Sequence, residues 1–234
     1  MKYSLVIPCF NEEGTVKIIL EKTKDIFIKN NIELIIVNNG STDNTHKILT
    51  NILYEYPHAK YIYLKNNLGY GGGIIEGLKE CKGEVIGWTH ADLQTNPLDS
   101  IMAFEKFKNN SKDSKMYVKG NRKNRPLFDH FFTFGMSVFE TLLLRRIIYD
   151  INAQPTIFHK DFYKKWVNPP SDFSLDLYSY YLAIKNNYKI DRIKVNFLKR
   201  IYGESKWNNN FTSRIRFIFR TVRFSLKLRF RKFN

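Results

Sequence analysis

Apolar positions along the first hundred residues fall into two alternating periods. "YSLVIP" (3–8) is a short apolar run of the kind that forms a strand buried on both faces, and it is followed by Val16, Ile19, Leu20, Thr23 and Phe27 at helical spacing. Asn11, ahead of Glu12 and Glu13, is the expected cap of that helix. "IELIIVNN" (32–39) predicts a second strand, and Ile48, Leu49 and Ile52 predict a helix from about Asp43. "AKYIYL" (59–64) leads through a glycine-rich turn into "IIEGLKEC" (74–81), and "EVIGW" (84–88) predicts a fourth strand. Asn96-Pro97 reads as the cap and first residue of the next helix, because proline at that position forfeits no needed donor. Four strands each followed by a helix predict an α/β fold: a mostly parallel sheet flanked by helices on both faces. The carboxyl edge of such a sheet is where ligands bind.

The loops predicted at that edge share a character. "PCFNEE", "NNGSTDNT", "NNLGYGGG" and "THADLQTNP" mix polar side chains with small residues, as a polar ligand requires. Glycines at 69, 71, 72 and 73 allow close backbone approach, and the helix behind them offers free N–H groups. Their spacing is not the G-x-G-x-x-G of a dinucleotide site.

The chain has 234 residues, 43% of them hydrophobic, enough for one substantial domain. Thirty-eight Lys+Arg against 22 Asp+Glu give a formal charge of +16, which points to work beside something anionic: nucleic acid, a phosphorylated substrate or an anionic membrane surface. Two cysteines, Cys9 and Cys81, lack the spacing of a disulfide framework or zinc site. No stretch reads as a secretory leader or a membrane span, so the expected location is cytoplasmic, peripheral on the inner face of the membrane. No nucleic-acid module is recognisable, so nucleic acid is not the expected partner.

Six ordered motifs carry a resemblance. "VIPCFNEE", "LIIVNNGSTDNT", "NNLGYGGGIIEGL", "HADLQTNP", "GNR" (120–122) and "YGESKW" (202–207) resemble those of family 2 glycosyltransferases of GT-A fold, in the branch of dolichol-phosphate mannose synthase and its bacterial polyprenyl-phosphate relatives. The resemblance implies a nucleotide-sugar donor bordered by Pro8, Phe10, Glu12, Asn38, Asn39, Gly69, His90 and Asp92. It implies a divalent cation, Mg²⁺ or Mn²⁺, held by Asp92 and Gln94 against the departing diphosphate. His90 stands where the family has the first acid of D-x-D-x-Q, Asn38 and Asn39 where it has two aspartates, and Phe10 where tyrosine is common. Arg122, Arg200, Ser205 and Lys206 are implied on the acceptor side, with Asp92, Arg122, Arg200 and Lys206 as the residues carrying catalysis.

The acceptor that the resemblance implies is a polyprenyl phosphate or related glycolipid, or alternatively a sugar hydroxyl. An acceptor phosphate oxygen attacks as an anion, whereas a hydroxyl needs a base, for which Asp172 and Asp176 are the candidates; Asp172 equally fits a helix cap. Single displacement implies inversion. A nucleotide-sugar-binding protein without turnover remains a second reading, given Asn38, Asn39 and His90. The expected division is a GT-A domain over residues 1–207 and a basic amphipathic tail over 208–234. In that tail Ile215, Ile218, Phe219 and Val222 form a stripe among Arg214, Arg216, Arg220, Arg223 and Lys227, suited to an anionic bilayer.

Overall fold

The computed structural model describes residues 2–109, 114–123, 127–200, 202 and 211–230. The first half alternates as its pattern predicts: β1 (Tyr3–Cys9), α1 (Val16–Lys29), β2 (Ile32–Asn39), α2 (Thr45–Ile52), β3 (Ala59–Leu64), α3 (Gly69–Lys79), β4 (Val85–Trp88) and α4 (Asp99–Asn109). Then come β5 (Met116–Lys123), α5 (Leu127–Leu144), β6 (Thr156–His159), α6 (Lys160–Tyr163), α7 (Ser174–Lys185), β7 (Lys189–Asn196) and α8 (Phe211–Phe230). The seven strands form one sheet in the order β3-β2-β1-β4-β6-β5-β7. β6 runs antiparallel to both neighbours, and the other pairings are parallel.

Period-two alternation sends successive residues to opposite faces, and both faces are covered. Leu5, Ile7, Leu34 and Ile36 pack with Val16, Ile19, Leu20 and Phe27 of α1 on one side. Val6, Ile35, Val37, Trp88, Tyr117 and Phe158 pack with Ile74 and Leu78 of α3 and Tyr180 of α7 on the other.

Three expected boundaries shift, each for a physical reason. Asn11 does not cap α1, which begins at Val16 after Thr15; Asn11 takes a left-handed φ of 58° and ties to the loop after β2 instead. Asn96 and Pro97 form a turn ahead of α4, with Asn96 accepting from the Leu98 N–H at 3.1 Å. The glycine-rich turn is the first turn of α3 itself. There the segment 170–172 crosses the helix so closely that a Cβ on Gly71 would stand 2.5 Å from the Pro170 carbonyl oxygen. The N–H of Gly72 donates to the Ser171 carbonyl at 2.9 Å, so these glycines serve packing between distant segments.

α8 packs against α5 and α7. Leu228 and Ser225 are buried in that seam, and the Ser225 hydroxyl donates to the buried Glu140 carboxyl of α5 at 2.6 Å. Arg220 pairs with Asp172 at 3.4 Å. The described part of the basic tail is thus seated on the domain.

Burial pushes the Glu140 carboxyl from 4.5 up to about 7, against a smaller opposing pull from the Ser225 hydrogen bond. The folded chain keeps a proton that the unfolded chain releases at lower pH, so this group's contribution is full below about 4.5 and is lost as pH rises to about 7. Glu140→Gln keeps the acceptor for Ser225 without the charge. It is expected to gain about 2 kcal/mol over the parent at pH 8 and almost nothing at pH 4.5 in urea unfolding. Equal gains at both pH values would remove Glu140 ionisation as the cause.

Candidate functional site

The parallel strands β1 to β4 deliver their loops to one edge, and β6 starts there, with Thr156 opposite Trp88 at the end of β4. The first two loops are laced together. Backbone N–H groups of Asn11, Glu12 and Glu13 donate to Ser41 Oγ, Thr45 Oγ1 and Asp43 Oδ2 at 3.0, 2.9 and 3.1 Å. Asn44 N–H returns a bond to Glu13 Oε2 at 2.9 Å. Pro8, beside Val37 in the register, and Phe10 are half-buried at this edge.

A short segment after β7 crosses the first and fourth loops. The Leu198 N–H donates to the Gln94 carbonyl at 2.8 Å, and Gln94 Nε2 donates to the Leu198 carbonyl at 3.3 Å. Arg200 Nη2 pairs with Glu12 Oε1 at 2.8 Å. The Tyr202 ring packs where a side chain on Gly14 would stand, 2.8 Å from an ideal Cβ.

Asp92 sits on a tight turn, its Oδ1 accepting the Gln94 N–H at 3.1 Å while Leu93 takes a φ of 57°. Burial pushes the Glu12 carboxyl up; the Arg200 guanidinium pulls it down and the Asp92 carboxylate raises it again. Two acids and a guanidinium therefore share one electrostatic environment. His90 stacks on Tyr70 with ring centroids 5.4 Å apart, and Tyr70 stacks on Phe173 at 4.5 Å. Among the described residues no group of three or more His, Cys, Asp or Glu side chains is placed to hold a metal ion. Asp92 and Gln94 are hard oxygen donors on one turn. They fit part of a shell for a cation that takes its remaining oxygens from a bound ligand and water.

The two asparagines are buried and engaged within the chain. Asn38 donates to the Tyr61 hydroxyl at 3.1 Å and accepts from the Ser41 N–H at 3.0 Å. Asn39 donates to the Gly69 carbonyl at 2.8 Å and accepts from the Leu68 N–H at 2.9 Å. Each uses both ends of its amide to tie the end of β2 to the neighbouring loops. Gly69 takes a φ of 82° against the Ser171 carbonyl, a conformation that side chains rarely adopt.

The second half arranges its charges in pairs. Arg122 donates from its backbone N–H and Nε to Asp150 at 3.0 and 2.8 Å, with Nη2 also bound there, and its guanidinium lies 5.3 Å from the Phe197 ring. The strand thus presents a neutralised pair where the resemblance implied a guanidinium on the acceptor side. Asp172 caps the turn before α7 through the Ser174 N–H at 2.8 Å while holding Arg220. Asp176 is fully buried, 3.7 Å from Lys119 Nζ and 2.7 Å from Gln154 Nε2. Ser205 and Lys206 lie outside the described residues.

Lys119, Tyr70 and Asp150 escaped the sequence reading. Lys119 carried a signal: in the strand "KMYVKG" it shares the period-two face of Tyr117, so a cation stands at a core position. Burial lowers its ammonium to about 8, opposed by the Asp176 carboxylate.

The profile of the family described as Glycosyl transferase family 2 matches residues 4–166. Undecaprenyl-phosphate 4-deoxy-4-formamido-L-arabinose transferase of Yersinia enterocolitica is 33% identical over 99 residues, covering 41% of this chain and 30% of that protein. Dolichol-phosphate mannosyltransferase of Pyrococcus furiosus is 28% identical over 150 residues, covering 63% of this chain and 42% of that protein. The chain thus spans less than half the length of these curated relatives. Among solved structures, glucosyl-3-phosphoglycerate synthase from Mycobacterium tuberculosis, in complex with Mn²⁺, uridine diphosphate and glucosyl-3-phosphoglycerate, superposes with a TM-score of 0.71 at 14% identity. That match covers 97% of this chain and 79% of the other. It shows the fold.

The amides at the end of β2 give a direct test. Asn39→Asp loses the donor to the half-buried Gly69 carbonyl and is expected to cost about 1–2 kcal/mol in urea unfolding. Asn38→Asp costs less, since the Tyr61 hydroxyl can turn and donate to the new carboxylate. Equal costs would show that the two amides are not distinguished by their partners.

Proposed function

The chain belongs to glycosyl transferase family 2, and from that premise we propose that it moves a sugar, with inversion, from a nucleotide-sugar donor to a polyprenyl phosphate at an anionic membrane surface. The observation that carries the donor half is the meeting of Asp92, Gln94 and the Glu12–Arg200 pair at the ends of β1 and β4. A divalent cation bound with the donor there would be held by Asp92 and Gln94 and would neutralise charge developing on the departing diphosphate. The Mn²⁺ and uridine diphosphate complex of the mycobacterial structure supports that reading. Arg200 keeps Glu12 in place at the mouth of the same edge.

A phosphate acceptor is favoured over a hydroxyl by the fate of the two candidate bases. Asp176 is sealed beneath the surface against Lys119, and Asp172 is committed to the Ser174 N–H and Arg220. An ionised phosphate oxygen needs orientation and charge balance, not proton removal. The names of the undecaprenyl-phosphate and dolichol-phosphate relatives support the same class of acceptor.

Exposed apolar residues support a peripheral seat on a bilayer, at the cytoplasmic face. On α5, Phe134, Val138 and Leu142 recur every fourth residue and stand exposed, with Arg145, Arg146 and exposed Ile147 just beyond. On α8, Phe219, Leu226 and Phe230 are exposed on one face beside Arg223 and Lys227. Among the described residues no helix is long and apolar enough to cross a membrane. An interfacial helix of this composition gains from buried apolar area and roughly 1 kcal/mol per cation near anionic lipid. The second reading, donor binding without turnover, rests on Asn38, Asn39 and His90 standing where the resembled family has acids.

Incubating the protein with a panel of nucleotide sugars, Mn²⁺ and polyprenyl phosphate in vesicles is expected to yield a lipid-linked sugar of inverted anomeric configuration. Asp92→Ala is expected to lower the rate at least about a hundredfold. Transfer to sugar hydroxyls alone would overturn the acceptor assignment, and donor binding without any transfer would favour the second reading. In sedimentation with phosphatidylglycerol vesicles, Leu142→Asp and Phe219→Asp are each expected to weaken binding about tenfold. Undiminished binding by both would remove these faces from the membrane contact.

A further inference from the structure

Beneath the β4 loop, a polar chain enters from the core and ends on an aromatic ring. Lys119 of β5 is fully buried; its ammonium donates to Thr156 Oγ1 at 2.9 Å and lies 3.7 Å from Asp176 Oδ1. Asp176 accepts from Gln154 Nε2 at 2.7 Å, and the same nitrogen lies 3.2 Å from the Tyr70 hydroxyl. The Tyr70 ring is clamped between Phe173, nearly parallel at 10° and 4.5 Å, and His90 at 29° and 5.4 Å.

Such an arrangement is poor value as a stabiliser. Burying a lysine and an aspartate costs several kcal/mol per ion, which their attraction seldom exceeds relative to apolar packing. What the network supplies is definition. Thr156 and Gln154 flank the start of β6, Lys119 comes from β5, Asp176 from α7 and Tyr70 from the first turn of α3. Residues of β5, β6, α7 and α3 thus share one network, which reaches Tyr70 through the Gln154 amide. His90 is the residue that departs from the resembled acidic pattern, and its ring rests on the face of Tyr70.

We infer that Tyr70 is a positioning residue for His90: the Lys119–Asp176–Gln154 chain fixes the tyrosine, and the stack on its ring sets where the imidazole stands beside the donor diphosphate. This inference rests on the reading of the β4 loop as the donor site. Tyr70 acts through His90 and touches no reacting atom. Ring stacking of this kind is worth about 0.5–1.5 kcal/mol, enough to select one ring pose among several. The hydroxyl tether then fixes the rotation and height of the platform. Displacing such a supporting group in comparable sites costs about 10–100-fold in ligand affinity or activity.

The test uses the full chain carrying ¹³C-labelled histidine, with the His90 signals assigned by His90→Gln. In the parent protein the His90 ring protons are expected to resonate upfield of an unstacked histidine, because they lie over the Tyr70 face. Tyr70→Leu is expected to abolish that displacement, and Tyr70→Phe, which keeps the ring and loses the tether, to retain most of it. In parallel, Tyr70→Leu is expected to raise the donor KM about tenfold while leaving the acceptor KM within about twofold, and Tyr70→Phe to lie between it and the parent. Phe173→Leu loosens the other side of the clamp without touching His90 and gives a second, milder variant should Tyr70→Leu fail to fold. Because deleting the ring deletes its ring current in any case, an unchanged donor KM in Tyr70→Leu, or in Phe173→Leu if the former does not fold, overturns the inference whatever the His90 spectrum shows. An upfield-shifted His90 in a parent protein that neither binds UDP with Mn²⁺ nor transfers sugar would keep the stack and reject the donor-site reading. The two failures are therefore distinguishable.

Discussion

One reversed strand organises the ligand edge. β6 lies antiparallel between β4 and β5, so the chain that reaches it must first pass over the carboxyl edge, and its opening residues lie among the loops of the other strands. Thr156 is thereby set against Lys119 across the ladder and Trp88 on the other side. Gln154, just ahead of the strand, reaches both Tyr70 and Asp176. A parallel β6 would enter from the opposite edge and leave Lys119 with no hydroxyl and Tyr70 with no amide. The buried charges are tolerable only because this topology surrounds them with partners.

The molecule carries a large positive excess, yet four cations around this edge rest against acids: Arg122 on Asp150, Arg200 on Glu12, Lys119 on Asp176 and Arg220 on Asp172. These pairs fix geometry, while the surplus charge on residues such as Arg145, Arg146, Arg223 and Lys227 faces outward. Local order and long-range attraction are thus assigned to different sets of residues. Oriented charge inside a cleft stabilises a diphosphate with little rearrangement, and exposed charge draws the molecule toward an anionic surface.

Much of the first half was legible from its residues. Leu5, Ile7, Leu34 and Ile36 announce strands buried on both faces, and the polar loops behind them end at one edge because parallel strands have no alternative. The rest depended on contacts between residues far apart in sequence. Asn38 and Asn39 read as ligand contacts because nothing nearby reveals that Tyr61, Ser41, Leu68 and Gly69 occupy their amides. The glycines at 69–73 read as a turn because the segment that presses on them lies a hundred residues later. Nothing near Arg122 in sequence shows its partner, because Asp150 reaches it only once α5 has folded back. Asp172 showed its capping role in local pattern, whereas the burial of Asp176 required the whole of β5 and α7.

The few residues after β7 touch the first loop through Arg200 and Tyr202 and the fourth through Leu198. That stitch makes these residues a thermodynamic partner of both loops. Free energy that holds Glu12 and Gln94 in place also holds Leu198 and Arg200, and the influence runs equally in reverse. Occupancy at the mouth of the sheet and the seating of Leu198 and Arg200 are therefore two readings of one equilibrium. Neither can strengthen the other without being strengthened by the same factor.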